Sequence, residues 1–502
     1  MLEKYSTDIQ YLKHAVLKEV AAMAFAGTLE EEKDNIPYHI IPGMKPNFRC
    51  CVHKEREIIR QRVKLATGNI PAGHEKSSNI VYVIPEGCEG CPLSRFHVTP
   101  NCQKCIAKKC VKACSFGAIS ITPQGAYIDQ SKCKECGRCA QVCPYNAITD
   151  LVRPCRQACP VNAIKYDDDK IAMIDESECI NCGSCVRDCP FGAISDVSYI
   201  VDVIEELKTA LPYAEFSENK DAGGNKLFAV FAPSIEGQFG PDVTISMLKA
   251  AIRKLGFTET FEVALGGDAT AAYEAEELIE HKEAGKPLTT SCCPAFKQMI
   301  VKHFPELLEY MSTTLSPMGA LCRYLKSTYP GCKVVFIGPC ISKKNEMKNF
   351  GIQDNADLVL TFEELCALFD ARNIDFEPVE EPELDDGTLY GKEFGVSGGV
   401  SNAVLKVLQE KGYDKPIKAE KCNGAAECKK MLMLMKAGKF DADILEGMAC
   451  MHGCIGGPGI VQDPLSTKRS RSVLLKGATK HDVTKNVTQN FDFSAVDMYE
   501  KR

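Results

Sequence analysis

The sequence predicts a C-terminal α/β domain with largely parallel sheets, preceded by small cysteine-rich α+β modules. From about residue 224 onwards, short apolar runs alternate with helical patterns, an order typical of α/β domains. Sixteen of the 28 cysteines lie between Cys88 and Cys189, and none lies between Cys189 and Cys292. Within the cysteine-rich stretch one cysteine motif occurs repeatedly. The two halves of the chain therefore carry different chemistry.

Length and composition limit the class of protein. A chain of 502 residues predicts about three domains. Its apolar runs are far shorter than the ~18 residues that span a bilayer, and the N-terminus has no apolar signal region. A net charge of −7 argues against a generally basic nucleic-acid binder. We expect a cytoplasmic protein with no membrane or nucleic-acid partner, in which the many thiols bind metal rather than form disulfides.

Three segments are predicted. Residues 1–85 form an N-terminal helical segment, because apolar residues recur mostly every three or four positions from Ile9 to Phe25. Its adjacent Cys50 and Cys51 cannot both bind one cubane without strain, so they are expected to be ordinary thiols. Residues 86–200 are the cysteine-dense segment and 224–502 the α/β domain, with an acidic joint between them.

The cysteine-dense segment contains an internal repeat. Two full copies and two degenerate ones are present: Cys133-x-x-Cys136-x-x-Cys139-x-x-x-Cys143-Pro, Cys179-x-x-Cys182-x-x-Cys185-x-x-x-Cys189-Pro, Cys102-x-x-Cys105-x-x-x-x-Cys110-x-x-x-Cys114 and Cys155-x-x-x-Cys159-Pro. Three cysteines at such intervals wrap one corner of a 4Fe-4S cubane, and the fourth binds the neighbouring cluster. With short strands predicted between the copies, the segment has the pattern of ferredoxin-like α+β 4Fe-4S modules.

This ligand rule assigns most of the sixteen thiols to clusters. It groups Cys102, Cys105 and Cys110 with Cys143; Cys133, Cys136 and Cys139 with Cys114; and Cys179, Cys182 and Cys185 with Cys159. Cys88, Cys91, Cys155 and Cys189 are left over and could close a fourth cluster, so three to four accessory cubanes are predicted. Zinc also binds Cys-x-x-Cys pairs, but rarely with four cysteines packed this closely before a proline. The cubanes would act as an electron wire that feeds a separate reaction centre.

Five more cysteines lie in three loops of the α/β region. The strands predicted there are 226–232, 333–337, 357–360 and 442–445, and the helices are 243–255, 269–283, 317–327 and 400–411. The loops are Thr290-Ser-Cys-Cys-Pro-Ala-Phe296, Gly338-Pro-Cys-Ile-Ser-Lys-Lys-Asn-Glu346 and Glu446-Gly-Met-Ala-Cys-Met-His-Gly-Cys454. Each follows a strand or apolar stretch and opens a helix, so their thiols could converge on one buried site.

The three loops resemble the three signature sequences of FeFe hydrogenases, in the same order and at similar separation. The resemblance implies an H-cluster, a cubane joined to a two-iron subcluster that carries CO, cyanide and a dithiolate amine bridge. By motif position the cubane ligands are Cys293, Cys340, Cys450 and Cys454, with Cys454 as the bridge. The other implied positions are Cys292 for the proton-shuttling thiol, Lys343 for a lysine that contacts a cyanide, Ala232-Pro233-Ser234 for the segment at the second cyanide, and Met448 in the pocket.

The resemblance also implies a proton route. It places Glu274 and Glu277 at two relay glutamates and Ser312 at a relay hydroxyl, which can pass protons through hydrogen bonds or one water. The alternative is that glutamates at this spacing on a charged helix are simply solvated. His281 stands where the family relay ends in arginine.

Several positions depart from the best-known members and resemble a less-studied monomeric branch. Gly338 replaces a methionine, Phe296 replaces a tryptophan, and Met451-His452 replaces a Pro-Gly pair. We expect no role for His452. The thiols that fit no ligand spacing are expected to be small buried hydrophobes: Cys322, Cys332, Cys366, Cys422 and Cys428.

These observations predict a hydrogenase that interconverts protons and reduced ferredoxin with H2 and oxidised ferredoxin. Ferredoxin is the expected partner because no Gly-x-Gly-x-x-Gly follows a predicted strand, and maturation enzymes would have to supply the two-iron subcluster. One alternative is an H2 or redox sensor with low turnover, although 48 residues after Cys454 are few for a signalling domain. The other is a non-catalytic iron–sulfur assembly protein, which would have no use for Cys292 or Lys343.

Overall fold

A computed structural model describes residues 7–49, 51–71, 79–88, 91, 94–348 and 352–500. Cys50 lies outside the described residues, and Cys51 is exposed. Within these ranges no helix combines the length and the apolar character that a bilayer crossing requires.

The N-terminal segment is helical, and it packs on the α/β region. Its helices are Asp8–Ala26, Leu29–Glu32, Ile36–Ile40 and Val52–Ala66, with a 3₁₀ turn at Lys33–Asn35. The Thr7 hydroxyl caps the start of the first helix, and Gly27 ends it with a φ of 78°. Val16 and Val20 lie in the same core cluster as Leu365 of the α/β region. The first helix is therefore built into the main core.

Two parallel sheets form the α/β region. The four-stranded sheet has the order Glu259–Glu262, Leu227–Phe231, Lys333–Ile337, Leu358–Leu360, and the three-stranded sheet has the order Leu288–Thr289, Ile444–Met448, Ala419–Asn423. All neighbouring strands run parallel, which confirms the predicted α/β class.

Helices cover these sheets and the joint that precedes them. They are Ile200–Leu207, Tyr213–Glu218, Ile245–Lys254, Val263–Glu283, Pro294–His303, Pro317–Thr328, Ser342–Met347, Phe362–Ala371, Leu389–Glu393, Gly399–Glu410, Ala425–Lys436, Pro464–Leu474 and Val483–Lys485. Shorter turns are Pro233–Ile235, Pro305–Tyr310, Gly453–Gly456 and Leu475–Gly477, and a π turn covers Asn486–Asn490.

The sequence prediction misplaced the start of one long helix. Val263–Glu283 begins six residues before the predicted start, across Gly266-Gly267, and glycine disfavours helix in isolation. A Cβ at Gly266 would lie 2.1 Å from the Pro317 carbonyl oxygen. Close packing against the helix Pro317–Thr328 therefore requires glycine at position 266. Because glycine has a low helix propensity, the sequence does not predict a helix there. The strands Glu259–Glu262, Leu288–Thr289 and Ala419–Asn423 were also missed.

The cysteine-rich region consists of two similar units, one inserted into the other. The inserted unit (residues 94–151) pairs Phe96–Val98 with Ile148–Asp150 and Ile119–Thr122 with Gly125–Ile128. The split unit (79–88, Cys91 and 152–197) pairs Val81–Val83 with Ile194–Asp196 and Ile164–Tyr166 with Ala172–Ile174. Short helices carry cysteines in both units: Pro85–Cys88, Lys109–Ala113, Arg138–Gln141, Pro154–Ala158 and Ser184–Arg187. The strand Val81–Val83, from the segment predicted as helical, thus completes a sheet of the split unit.

The insertion explains the degenerate motifs. Ala126 N–H donates to the Cys102 sulfur at 3.4 Å, and Ala172 N–H donates to the Cys88 sulfur at 3.4 Å, from equivalent strands of the two units. Cys88 and Cys91 are thus the start of a motif whose remainder, from Cys155, follows the inserted unit. The half-motif in the sequence is one motif divided by an insertion.

A buried ion cluster joins the N-terminal helix, the split unit and the α/β region. Asp196 receives Lys13 Nζ at 3.1 Å and Lys344 Nζ at 2.7 Å, and Lys344 also contacts Glu364 at 2.9 Å. Burial alone would raise the pKa of Asp196, but the two ammonium groups outweigh it and lower that pKa. The carboxylate therefore stabilises the fold fully above its unfolded pKa, and this contribution is lost as the pH falls towards the depressed folded pKa.

Asp196→Ala should lower the free energy of unfolding by about 3–5 kcal/mol, because it leaves two buried cations short of a partner. Urea unfolding of anaerobic protein near neutral pH measures this. The control Glu30→Ala removes an exposed pair with Lys33 and should change stability by less than about 1 kcal/mol. Equal losses in the two variants would contradict the structural role of the cluster.

Candidate cluster-binding site

Three loops that follow parallel strands meet around one buried cavity. Cys293 follows the strand Leu288–Thr289, Cys340 follows Lys333–Ile337, and Cys450 and Cys454 follow Ile444–Met448. The cavity lining includes every residue that the hydrogenase resemblance places around the cofactor: Ala232, Pro233, Ser234, Cys292, Cys293, Cys340, Lys343, Met448, Cys450 and Cys454.

The ligand thiols lie close enough to act on one another's protonation. Burial raises the pKa of Cys454 to about 12, and the neighbouring Cys293 adds to the shift. Burial and the other cavity thiols likewise raise the pKa of Cys340 and Cys450. Such thiols ionise readily only when a cation or metal cluster binds them. Metal binding would therefore stabilise what is otherwise an unfavourable set of buried groups.

Other features of the wall also fit a bound group. The Ser234 hydroxyl oxygen is buried and has no hydrogen-bond partner within the described part of the chain. A Cβ at Gly457 would lie 2.6 Å from the Pro339 carbonyl oxygen, so only glycine allows the loops to pack this closely. Across the described residues, no three His, Cys, Asp or Glu side chains are placed to share a single ion, whereas a cubane takes one thiolate at each iron. The residues present fit a cubane with an attached group.

Lys343 supplies a positive charge at the cavity wall. Its ammonium donates to Ser316 Oγ at 2.9 Å and to Glu346 Oε2 at 2.6 Å. Burial alone would lower the pKa of Lys343, but the Glu346 carboxylate and then the Cys340 and Cys292 thiols raise it. The lysine is thus held charged beside the ligand cysteines.

Cys292 lines the cavity, and Glu274 lies next to it, behind the wall. Burial, followed by the neighbouring charge of Glu274, raises the pKa of Cys292 well above its usual range. Glu274 is fully buried, and burial together with Glu277 raises its pKa to about 8. Ser291 N–H donates to Glu274 Oε1 at 3.4 Å, while Oε2 has no partner among the described residues. The carboxyl can therefore exist in either protonation state near neutral pH.

Ser312 and Glu277 continue from this carboxyl towards solvent. The Ser312 hydroxyl donates to Glu277, and Ser312 also lies near enough to Glu274 to moderate the rise of its pKa. Thr313 N–H donates to Glu277 Oε1 at 2.9 Å, and Thr314 Oγ1 donates to Oε2 at 3.1 Å. Glu277 is half-buried. The structure therefore brings together the four relay residues, whereas His281 Nδ1 bonds the Pro287 carbonyl at 3.0 Å.

Several accessory thiols lie near other members of the group that spacing predicts for them. Burial, followed by Cys189, Cys88 and Cys91, raises the pKa of Cys155 to about 11. Burial also raises the pKa of Cys110, with Cys143 and Cys105 among the causes, and that of Cys185, with Cys182, Cys179 and Cys159 among them. Cys182 in turn acts on Cys450. The split unit thus lies against the cavity.

Backbone groups point at the sulfurs of the motifs. The alanine four residues after the last cysteine of each copy donates its N–H to that sulfur at 3.2–3.3 Å, in Cys114, Cys143, Cys159 and Cys189. The residues immediately before the second cysteine of three copies share a φ near 50°: Lys104, Glu135 and Asn181. Such N–H groups stabilise thiolate over thiol, which suits cluster ligation.

Two departures from the family pattern have structural causes. A Cβ at Gly338 would lie 2.5 Å from the Phe336 ring, so this ring fills the place of a larger side chain at 338. A Cβ at Gly447 would lie 2.2 Å from the ring of the fully buried Phe296. His452 is exposed, and its backbone N–H donates to Asn423 Oδ1 at 2.6 Å.

Sequence analysis missed several parts of the site. Phe336, Phe394 and Gly395 line the cavity, and Thr313 and Thr314 hold Glu277. None belongs to a motif, and each becomes adjacent only through folding. The five thiols predicted to be small hydrophobes are all buried.

Comparison with known proteins supports these assignments at the level of the family. Residues 225–458 match the model of the iron only hydrogenase large subunit, C-terminal domain, residues 126–149 match a 4Fe-4S binding domain, and 149–200 match the LdpA Fe-S cluster-binding domain. A solved structure of an FeFe hydrogenase, studied for oxygen inactivation, covers 61% of this chain and 98% of its own with a TM-score of 0.51 at 22% identity, which shows the fold.

Curated relatives include hydrogenases and assembly proteins. The chain is 29% identical to iron hydrogenase 1 of Clostridium pasteurianum, over 44% of this chain and 46% of that protein. It is 23% identical to the cytosolic Fe-S cluster assembly factor NAR1 of Kluyveromyces lactis, over 37% and 55%. It is 30% identical to the periplasmic [Fe] hydrogenase large subunit of Nitratidesulfovibrio vulgaris, over 47% of this chain and 69% of that protein. With this extent of similarity, the chain belongs to the iron-only (FeFe) hydrogenase family.

Proposed function

We propose that the protein is a ferredoxin-linked hydrogenase that reversibly converts protons and electrons into H2. The observation that carries this proposal is the single cavity lined by Cys292, Cys293, Cys340, Cys450 and Cys454, with the buried carboxyl of Glu274 behind it. An electron-carrying protein needs no buried carboxyl beside its cluster, whereas proton reduction does. The cavity therefore supports catalysis rather than electron storage.

The proposed cofactor is a cubane on Cys293, Cys340, Cys450 and Cys454, joined at Cys454 to a two-iron subcluster with CO, cyanide and a dithiolate amine. When bound, this group supplies the metal centre for H2 chemistry and an amine that accepts protons. Lys343 offers a cation, and Ser234 a hydroxyl, to its anionic ligands. The apolar wall, including Met448, excludes water from the cavity.

The chain's own residues carry the proton. Cys292 is placed to exchange a proton with the cavity, and Glu274, with its pKa of about 8, can accept or release that proton near neutral pH. Ser312 lies between Glu274 and Glu277, and the threonine hydroxyls hold Glu277 in line. Protons would leave through Glu277 at the surface.

Electrons would enter through the inserted unit. Residues 94–151 contain eight Lys or Arg against three Asp or Glu, although the whole chain has a net charge of −7. Ile106, between two predicted cluster ligands, is 97% exposed, and Lys104, Lys108 and Lys109 surround it in sequence and are also exposed. An apolar centre with a basic rim suits docking of a small acidic ferredoxin.

An assembly function is the second candidate, favoured by the similarity to the assembly factor. Infrared bands of CO and cyanide on matured protein would distinguish the hydrogenase from the assembly protein, and their absence would contradict the main proposal. Rapid H2 evolution with reduced ferredoxin would then distinguish the enzyme from a sensor of low turnover.

Cys292→Ser should slow H2 evolution by a factor on the order of 10² or more, because it removes a positioned proton-transfer group. Serine is nearly isosteric and Cys292 is not a predicted ligand, so the iron content and infrared bands should not change. Cys292→Asp should restore part of the rate by supplying another acid. Near-normal turnover of Cys292→Ser with intact bands would show that protons enter elsewhere.

Counting iron tests the accessory clusters. Four accessory cubanes and the H-cluster cubane contain about 20 iron atoms, and maturation should raise the total to about 22. Changing both Cys88 and Cys91 to serine should remove about four irons and one signal from the low-temperature EPR spectrum. A wild-type protein that binds no more than about twelve irons would refute the assignment of four accessory cubanes.

Reversing charge at the inserted unit tests electron entry. Lys108→Glu with Lys109→Glu should lower the ferredoxin-driven rate about tenfold at low salt and less at high salt, while the rate with a small dye reductant stays unchanged. The control is Lys415→Glu with Lys439→Glu, which changes the net charge equally at exposed sites of the α/β region. Equal effects of the two pairs would exclude docking at the inserted unit.

A further inference from the structure

The helix Pro464–Leu474 lies beyond the region matched to the hydrogenase model, and its inward face is polar. Its buried residues are Thr467 and Arg471, one turn apart. Leu465 and Val473 of the same helix are 59% and 55% exposed. Apolar burial therefore does not explain why this helix packs where it does.

Arg471 connects the helix to the wall of the cluster cavity. Its guanidinium donates to the backbone carbonyls of Pro233 and Lys392, and its Nη1 lies 3.5 Å from Glu236 Oε2. Pro233 belongs to the Ala232–Ser234 segment that lines the cavity. One buried cation thus holds together the wall segment, the short helix Leu389–Glu393 and the helix Pro464–Leu474.

The neighbouring groups make this a costly place for a cation. Arg471 is 2% exposed, and Glu236 is shared with Lys392, whose ammonium lies 2.8 Å from Glu236 Oε1. A buried cation that shares its carboxylate with another cation destabilises the fold unless further negative charge lies nearby. The Glu393 carboxylate acts electrostatically on Arg471, and so does Cys454, the predicted bridging ligand.

We propose that Arg471 is a positioning residue for the cofactor, which fixes the Pro233–Ser234 peptide at the cavity wall and places a positive charge beside Cys454. This inference rests on the proposed function. A guanidinium bonded to the Pro233 carbonyl polarises that peptide and strengthens its N–H, which belongs to Ser234, as a donor. Lys343 and Arg471 would then both place cations near the bridging thiolate.

The test compares three variants of the full-length protein. Arg471→Gln removes the charge. Arg471→Lys keeps the charge but lacks the planar guanidinium that bonds two carbonyl groups at once. The control, Arg469→Gln, removes an exposed arginine from the same helix. The measurements are the CO and cyanide infrared bands of matured protein and the reduction potential of the cubane before maturation.

Arg471→Gln should shift the cyanide bands and make the cubane potential more negative, because a cation beside the thiolates is lost. Arg471→Lys should recover most of the potential but not the band positions. Arg469→Gln should match the wild type in both measurements. This pattern is not expected if Arg471 only stabilises the helix.

Wild-type bands and potential in a folded Arg471→Gln protein would overturn the inference. If that variant does not fold by circular dichroism, Arg471→Lys decides the question, and wild-type bands there would overturn it equally. If the wild type itself shows no CO or cyanide bands, the proposed function fails. The cubane potentials of unmatured protein would still test Arg471 in that case.

Discussion

The structure is organised around four cysteines that converge on one cavity, where the ionisation of their buried thiols would require compensating charge. Three loops from two separate parallel sheets must end within reach of one another, and each sheet contributes its carboxyl edge to the cavity. Glycines allow these loops to approach, while Lys343 places a cation at the cavity wall and Arg471 places one behind the Pro233 segment. The long helix Val263–Glu283 packs tightly enough through Gly266 to bring Glu274 behind the site. Most of the packing described above can be understood as support for this arrangement.

In the proposed function, electrons and protons would approach the cavity from different walls. The split unit contacts the cavity loops directly, since a Cβ at Gly183 would lie 2.7 Å from Pro458 and Lys302 Nζ lies 2.7 Å from the Cys179 carbonyl oxygen. Lys302 belongs to the helix that starts after Cys293. The carboxyl and hydroxyl groups of the relay lie behind Cys292 instead.

The cluster-binding residues could be predicted from the sequence more completely than the packing contacts around them. Cluster ligands must sit at fixed spacing in short loops, so the cysteines of the split and inserted units and the three hydrogenase loops were visible in it. The start of the helix at Val263 was not, because close packing there uses glycine against helix propensity. Arg471 and the Asp196 ion cluster were also hidden, since their partners lie far away in the chain and no local pattern connects them. The division of one motif between Cys91 and Cys155 likewise becomes clear only when the strands are seen to pair.

The insertion of one ferredoxin-like unit into another has a consequence for how such chains can diversify. The first and last strands of the inserted unit, Phe96–Val98 and Ile148–Asp150, are paired neighbours, so the unit enters and leaves its host at almost the same place. A module whose ends are adjacent can be gained or lost between two ligands of a host module without changing the backbone fold of the host. The number of predicted clusters can thus change in evolution by gain or loss of an inserted unit. The packing of the split unit against the α/β region need not change.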